Sequence, residues 1–172
     1  MGHRVYISAD KIKTKVKELA AELEKFIGDD EAVLIANLKG SVVFFADIIR
    51  EIKSERIMLD FLSTESYVNN ESSGAVKITR DLSLEISGKK VVLIEDILDT
   101  GLTLDHIIRY IRDIHEPSQM KVCVLLDKPQ NRKIELEADF VGFTIENEFV
   151  IGYGLDNNEY SRNLPYIAVL KQ

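Results

Sequence analysis

Apolar residues recur at helical spacing early in the chain, where Ile12, Val16, Leu19, Ala20, Leu23, Phe26 and Ile27 keep an i, i+3, i+4 pattern. Ser8 stands where an N-cap is needed and Gly28 where a helix stops, so one helix with a single buried stripe is predicted between them, after a short strand over Arg4 to Ile7. The pattern then changes. Ala32-Val33-Leu34-Ile35-Ala36-Asn37-Leu38 does not alternate, which predicts a strand covered on both faces, as in a parallel sheet, ending at Lys39-Gly40. A helix is predicted from Ser41 to about Lys53 and a second strand from Ile57 to Leu62. The polar segment Glu65 to Gly74 reads as a loop, long enough to be more than a connection.

Farther on, the apolar strand Val91 to Ile94 runs into an acidic turn, Glu95 to Gly101, and then a helix from about Thr103 to Ile114 with Leu104, Ile107, Ile108 and Ile111 on one face. Another apolar strand, Lys121 to Leu126, leads into polar Asp127 to Arg132; Phe140 to Phe143, Phe149 to Tyr153 and Tyr166 to Leu170 are short strand candidates. Non-alternating strands interleaved with helices predict one α/β domain over residues 1–172, doubly wound around a mainly parallel sheet with flanking helices. In such sheets ligands bind beyond the carboxyl ends of the strands.

Composition narrows the partners. The chain has 172 residues, 45% hydrophobic and 30% charged, with 9 Gly and 3 Pro, which excludes disordered and collagen-like classes. Apolar stretches such as Ser41 to Ala46 are far short of the ~20 residues of a membrane helix, and Met1 to Tyr6 lacks a signal-peptide core, so a cytoplasmic protein without a membrane partner is expected. A lone cysteine, Cys123, excludes an internal disulfide and reads as a small core residue, while His3, His106 and His115 show no metal-ligand spacing. With 29 acidic against 22 basic residues the net charge is −7, which disfavours nucleic acid and points to a small-molecule ligand.

The acidic turn holds the chemistry. Glu95, Asp96 and Asp99 fall within five positions after a buried strand, followed by Thr100-Gly101-Leu102-Thr103 at a helix start. One explanation is structural: Asp99 or Thr100 caps the helix and the other carboxylates are solvated. The other divides the labour, with backbone amides and the Thr100 and Thr103 hydroxyls holding a phosphate while the carboxylates take sugar hydroxyls. Carboxylates beside a phosphate repel it unless a cation bridges them, and Mg²⁺ suits an all-oxygen site.

The segment Val91-Val92-Leu93-Ile94-Glu95-Asp96-Ile97-Leu98-Asp99-Thr100-Gly101-Leu102-Thr103 resembles the phosphoribosyl-pyrophosphate motif of type I phosphoribosyltransferases, and within them the hypoxanthine (hypoxanthine-guanine) phosphoribosyltransferases. Leu38-Lys39-Gly40-Ser41 resembles the pyrophosphate loop of that family, and Ser66-Tyr67 with Ser72-Ser73-Gly74 its mobile catalytic loop. Leu126-Asp127-Lys128-Pro129 and Phe149 to Asp156, followed by Arg162-Asn163-Leu164-Pro165-Tyr166, resemble its base-reading segments, so the matches run in order over nearly the whole chain.

What the resemblance implies is purine salvage: transfer of the phosphoribosyl group of phosphoribosyl pyrophosphate to hypoxanthine or guanine, giving IMP or GMP and pyrophosphate. It implies a small hood built from the C-terminal and part of the N-terminal segment, a homodimer or homotetramer, and a Leu38–Lys39 peptide that can be cis. It implies Asp99 as general base at the purine. Glu95, Asp96, Asp99, Thr100, Gly101, Leu102 and Thr103 would bind ribose and 5′-phosphate, and Lys39, Gly40, Ser66, Tyr67 and Arg162 the pyrophosphate. Lys128, Phe149 and Val150 would read the purine, with Glu95, Asp96 and Asp156 meeting Mg²⁺. The segment Glu65 to Ala75 is expected to close as a lid when substrates bind. On the residues alone Lys39 is equally a solvated lysine, Arg162 half of a surface ion pair worth ~0 to 1 kcal/mol, and Phe149 a core side chain.

Two other functions compete. A haloacid-dehalogenase-like phosphatase needs paired aspartates two apart, and Asp96 and Asp99 are three apart. A regulatory RNA-binding protein that keeps the sugar-phosphate site is disfavoured by the acidic balance.

Overall fold

The computed structural model describes residues 2–66 and 76–170. Strand β1 (His3–Ile7) leads into helix α1 (Ala9–Ile27), whose cap forms as the sequence predicts: the Ser8 hydroxyl accepts the Lys11 N–H. At the other end Gly28, at φ 60°, donates its N–H to the Glu24 carbonyl. The stripe Ile12, Val16, Leu19, Ala20, Leu23 and Ile27 is buried; each full burial of a large aliphatic side chain contributes roughly 1.5–3 kcal/mol. Part of that stripe packs on helix α2 (Val42–Glu51).

Six strands form the main sheet: β2 (Ala32–Leu38), β3 (Ile57–Ser66), β4 (Val76–Arg80), β5 (Lys90–Leu98), β6 (Gln119–Asp127) and β7 (Phe140–Thr144), in the order β4-β3-β2-β5-β6-β7. All are parallel except β4, which pairs antiparallel to β3 at the edge. The non-alternating strands are explained by two cores. On one face Ala32, Leu34, Ala36, Val92, Ile94, Cys123 and Leu125 pack with α1 and α2. On the other Val33, Ile35, Val91, Leu93, Val122 and Val124 pack with helix α3 (Leu102–His115). A separate antiparallel sheet joins β1, β9 (Ile167–Leu170) and β8 (Val150–Ile151), so both ends of the described chain build the expected hood.

Three boundaries differ from the sequence expectations. β3 runs to Ser66 rather than Leu62, β4 was not anticipated, and β5 continues to Leu98, so Glu95 and Asp96 are strand residues and not part of a turn. The chain between β6 and β7 carries only a single 3-10 turn, Pro129–Asn131, in place of a crossover helix. Among the described residues no helix is long and apolar enough to cross a membrane.

The sheet order positions the site. After β2 the chain crosses through α2 to β3, and after β5 it crosses on the opposite face through α3 to β6. The two strands therefore send their connections in opposite directions, which opens a crevice at their carboxyl ends. Their ladder stops at Ala36↔Ile94, and the residues that follow, Asn37 on β2 and Glu95-Asp96 on β5, line that crevice.

Candidate active site

Glu95 is buried to 6% exposure, and its Oε1 accepts a hydrogen bond from Asn37 Nδ2 at 2.8 Å. Burial first, and then the neighbouring Asp96 charge, push the Glu95 carboxyl well above its ordinary range. Asp96 sits at the crevice mouth with Oδ1 accepting its neighbour Ile97's N–H at 2.8 Å, and burial raises it to about 6 despite the opposing Arg162 charge. Two adjacent raised carboxyls mark a place that is too negative for its degree of burial and that a cation would relieve.

Gly40 meets Asp96 closely. A Cβ on Gly40 would lie 1.9 Å from Asp96 Oδ2, and a Cβ on Gly154 would lie 2.0 Å from the Gly40 carbonyl oxygen. The loop after β2, the end of β5 and the hood segment therefore touch through positions where no side chain fits. The peptide Leu38–Lys39 is cis, as expected. Ser41 is fully buried and its hydroxyl donates to the Asn37 carbonyl, which ties the loop back to β2.

Beyond Leu98, Asp99 to Gly101, with Asn37, Glu95, Thr103 and Leu104, line a cavity of about 210 Å³. The α3 cap differs from the structural alternative: Gly101, in the left-handed conformation, holds the N-cap position, and neither Asp99 nor Thr100 takes it. The Thr100 hydroxyl accepts the Leu102 N–H at 3.4 Å. The N-cap glycine carries no side chain, so apart from the Leu102 N–H, which the Thr100 hydroxyl takes, the first amides of α3 present partial positive charge that suits a phosphate.

Asp99 Oδ1 accepts from Asn131 Nδ2 at 2.8 Å, and Lys128 Nζ lies 3.9 Å from Asp99 Oδ2. The Lys128 stem is buried and its N–H is bonded to the Leu98 carbonyl at 2.9 Å. Arg132, which sequence reasoning missed, braces this corner: it donates to the Leu98 and Asp99 carbonyls, to Leu136 O at 3.0 Å and to the Asp127 carboxylate. Phe149 is 57% exposed, which leaves its face free for stacking and corrects the core alternative, whereas Val150 is buried in β8.

Lys39 and Arg162 converge on one carboxylate. Glu159, also missed, lies 3.0 Å from Lys39 Nζ and 3.4 Å from Arg162 Nη2. Arg162 also pairs with Asp156 at 2.9 Å and donates from Nη1 to the Gly154 carbonyl at 2.8 Å, while its buried Nε has no partner among the described residues. Asp156 in turn accepts the Glu159 N–H at 2.8 Å. Glu95, Asp96 and Asp156 do not form a three-carboxylate cage: among the described residues no group of three or more His, Cys, Asp or Glu is arranged to hold a metal. Ser66 closes β3, and Tyr67, Ser72, Ser73 and Gly74, with the lid expected there, lie outside the described residues.

A larger cavity of about 460 Å³ lies between α1, α2 and the hood, with Asp47 and Arg50 paired on its wall and Tyr153 donating to Asp47 at 2.6 Å. The convergent carboxylates and the helix N-terminus belong to the smaller one, and chemistry rather than volume identifies the site.

Known proteins resemble this chain in sequence and in fold. The family model for the phosphoribosyl transferase domain matches residues 7–158. A hypoxanthine-guanine phosphoribosyltransferase of Bacillus subtilis (strain 168) is 46% identical over 169 residues, covering 98% of this chain and 93% of the relative. One from Aquifex aeolicus (strain VF5) is 41% identical over 170 residues, covering 98% and 94%. The crystal structure of a hypoxanthine-guanine phosphoribosyltransferase from Bacillus anthracis, 47% identical, matches with a TM-score of 0.91 over 98% of each chain. That of a hypoxanthine phosphoribosyltransferase from Staphylococcus aureus, 41% identical, matches at 0.92 over 98% of this chain and 91% of that one.

Proposed function

The chain belongs to the phosphoribosyltransferase family, and from that premise we propose that it transfers the phosphoribosyl group of phosphoribosyl pyrophosphate to hypoxanthine or guanine, giving IMP or GMP and pyrophosphate. The observation that carries the proposal is the meeting, at one crevice, of a buried and a half-buried carboxylate, a helix N-terminus with glycine at its cap and an aspartate beside a buried lysine.

The reaction breaks the anomeric bond to pyrophosphate, so positive charge builds on the ribose and negative charge on the leaving group. Glu95 and Asp96 hold the ribose hydroxyls. The amides of Leu102 and Thr103, with the Thr100 and Thr103 hydroxyls, hold the 5′-phosphate. Lys39, the Gly40 amide and Arg162 would take the pyrophosphate, and the family resemblance adds Ser66 and Tyr67 to that group. Asp99 accepts the proton that the purine ring nitrogen sheds during attack. Phe149 stacks on the ring, the Val150 backbone meets one edge, and Lys128 donates to O6.

The raised Glu95 and Asp96 carboxyls and the all-oxygen donor set fit Mg²⁺, held through one or two carboxylates together with the substrate's own oxygens, and Asp156 would reach it through water. When bound, Mg²⁺ neutralises charge on the diphosphate. We further propose a cytoplasmic homodimer or homotetramer acting on small molecules alone; the net charge of −7 supports the exclusion of nucleic acid. Light scattering on the purified protein checks the assembly.

The test is kcat/KM with phosphoribosyl pyrophosphate, Mg²⁺ and each of hypoxanthine, guanine and adenine. A lysine only donates, so it complements O6 and faces a second donor in adenine; sites built on one hydrogen bond discriminate by ~10⁴-fold or more. Lys128→Met, which keeps the buried stem, should erode both hypoxanthine efficiency and the discrimination. Comparable efficiency with adenine in the parent would overturn the purine class.

A further inference from the structure

The β2–β5 ladder ends at Ala36↔Ile94, yet one position beyond it the strands are still joined, by a side chain. Asn37 Nδ2 donates to Glu95 Oε1 at 2.8 Å, and Asn37 Oδ1 accepts from Thr64 Oγ1 at 3.3 Å. β2 and β3 continue paired to Leu38↔Ser63, so Thr64 arrives from the strand on the far side of β2. The Asn37 carbonyl meanwhile accepts from the buried Ser41 hydroxyl at the end of the pyrophosphate loop. One half-buried asparagine thus spans three strands and a loop where backbone pairing has run out.

The chemistry of each partner fixes the amide. In its ionised form, the one that accepts from a ribose hydroxyl, Glu95 only accepts, so the NH₂ end faces Glu95; the carbonyl end then needs a donor, which the Thr64 hydroxyl supplies. An amide satisfied at both ends cannot flip without losing both bonds. The Glu95 carboxyl lines the crevice and is held by Asn37 Nδ2 together with the Asp96 backbone, so its orientation is set.

We infer that Asn37, aimed by Thr64, is a positioning residue for the ribose-binding carboxylate of Glu95, and so sets how strongly the enzyme recognises the ribose diol. This rests on the ribose role given to Glu95 above. Asn37 touches no reacting atom: it acts through Glu95, so its removal should weaken recognition of the hydroxyls and leave the grip on the 5′-phosphate and base alone.

The test is calorimetric titration with inosine monophosphate and its 2′,3′-dideoxy analogue, which differ only in the hydroxyls. The parent should prefer the ribose form by about 10- to 100-fold, the scale of a hydrogen bond to a charged group. In Asn37→Leu, close in volume and unable to donate, that preference should shrink about tenfold while the Kd of the dideoxy analogue stays within about twofold. Thr64→Val, which leaves Asn37 in place but frees its carbonyl end, should shrink it about two- to threefold, and it decides the matter if Asn37→Leu does not fold. A purely structural role would weaken both nucleotides by the same factor. That result, or an unchanged preference in both variants, overturns the role of Asn37 and leaves the site assignment standing. If the parent shows no preference at all, the ribose role of Glu95 falls and the inference with it.

Discussion

The two sides of the crevice treat charge in opposite ways. At the end of β5, Glu95 and Asp96 are adjacent, neither forms a salt bridge among the described residues, and both carboxyls are raised. Across from them, Lys39 and Arg162 are each paired, sharing Glu159, with Asp156 held by Arg162 as well. The first side stores a need for positive charge; the second has met its own need internally and, in the proposed role, would exchange one carboxylate for a phosphate. Binding on the acidic side therefore relieves a cost, whereas binding on the basic side replaces a contact already present.

The sharpest way to probe the acidic side is Asp99→Asn. The amide keeps the shape and can still accept from Asn131, but it no longer takes a proton. Turnover should fall by ~10²-fold or more, with nucleotide binding and melting temperature nearly unchanged. Single-turnover kinetics at the parent rate would remove Asp99 from the proton transfer.

A second comparison uses stability. Burial raises the Asp96 carboxyl from 3.8 to about 6, so the folded chain keeps a proton that the unfolded chain sheds. That stabilising contribution is complete below about pH 4 and is lost as pH rises through about 6. In metal-free protein Asp96→Asn escapes the loss, and at pH 8 it should melt about 2 to 6 °C above the parent, from a difference on the order of 1–2 kcal/mol. Scanning calorimetry should show the two proteins converging near pH 4. A variant that melts lower than its parent at pH 8 would mean that the carboxylate pair is not under strain.

The basic side should respond least. Glu159 is exposed and its pairs are screened by solvent, so Glu159→Gln should tighten pyrophosphate binding in Mg²⁺ by only about two- to fivefold. Weaker binding would show that Glu159 organises Lys39 and Arg162 rather than competing for them.

The same contrast explains what the sequence made legible. The alternation of apolar strands and helices gave the sheet, and the run Glu95 to Thr103 gave the acidic half, because its residues are contiguous and follow a buried strand. The strand end was misjudged since two carboxylates inside a buried strand are unfavourable unless a ligand repays them. β4 was overlooked because Val76 to Arg80 is short, polar and half exposed, as an edge strand is. Glu159 meets Lys39 across 120 positions of sequence, and Arg132 works through backbone carbonyls, so neither leaves a local pattern. Asn37 reads as the polar end of an apolar strand; only the register with β3 and β5 reveals its partners.

The contacts at Gly40 bear on inhibition. A Cβ there would strike the Asp96 carboxylate, and one at Gly154 would strike the Gly40 carbonyl, so this wall of the crevice is glycine main chain packed on a carboxylate and on main chain. A compound that takes its affinity from that wall offers resistance few routes: the glycines it touches carry no side chain to exchange, and adding one displaces the Asp96 carboxylate or the loop itself. The same property makes selectivity scarce, since relatives with the same backbone would present the same wall. Discrimination between them would have to come from the rim, where side chains such as Glu159 are free to differ.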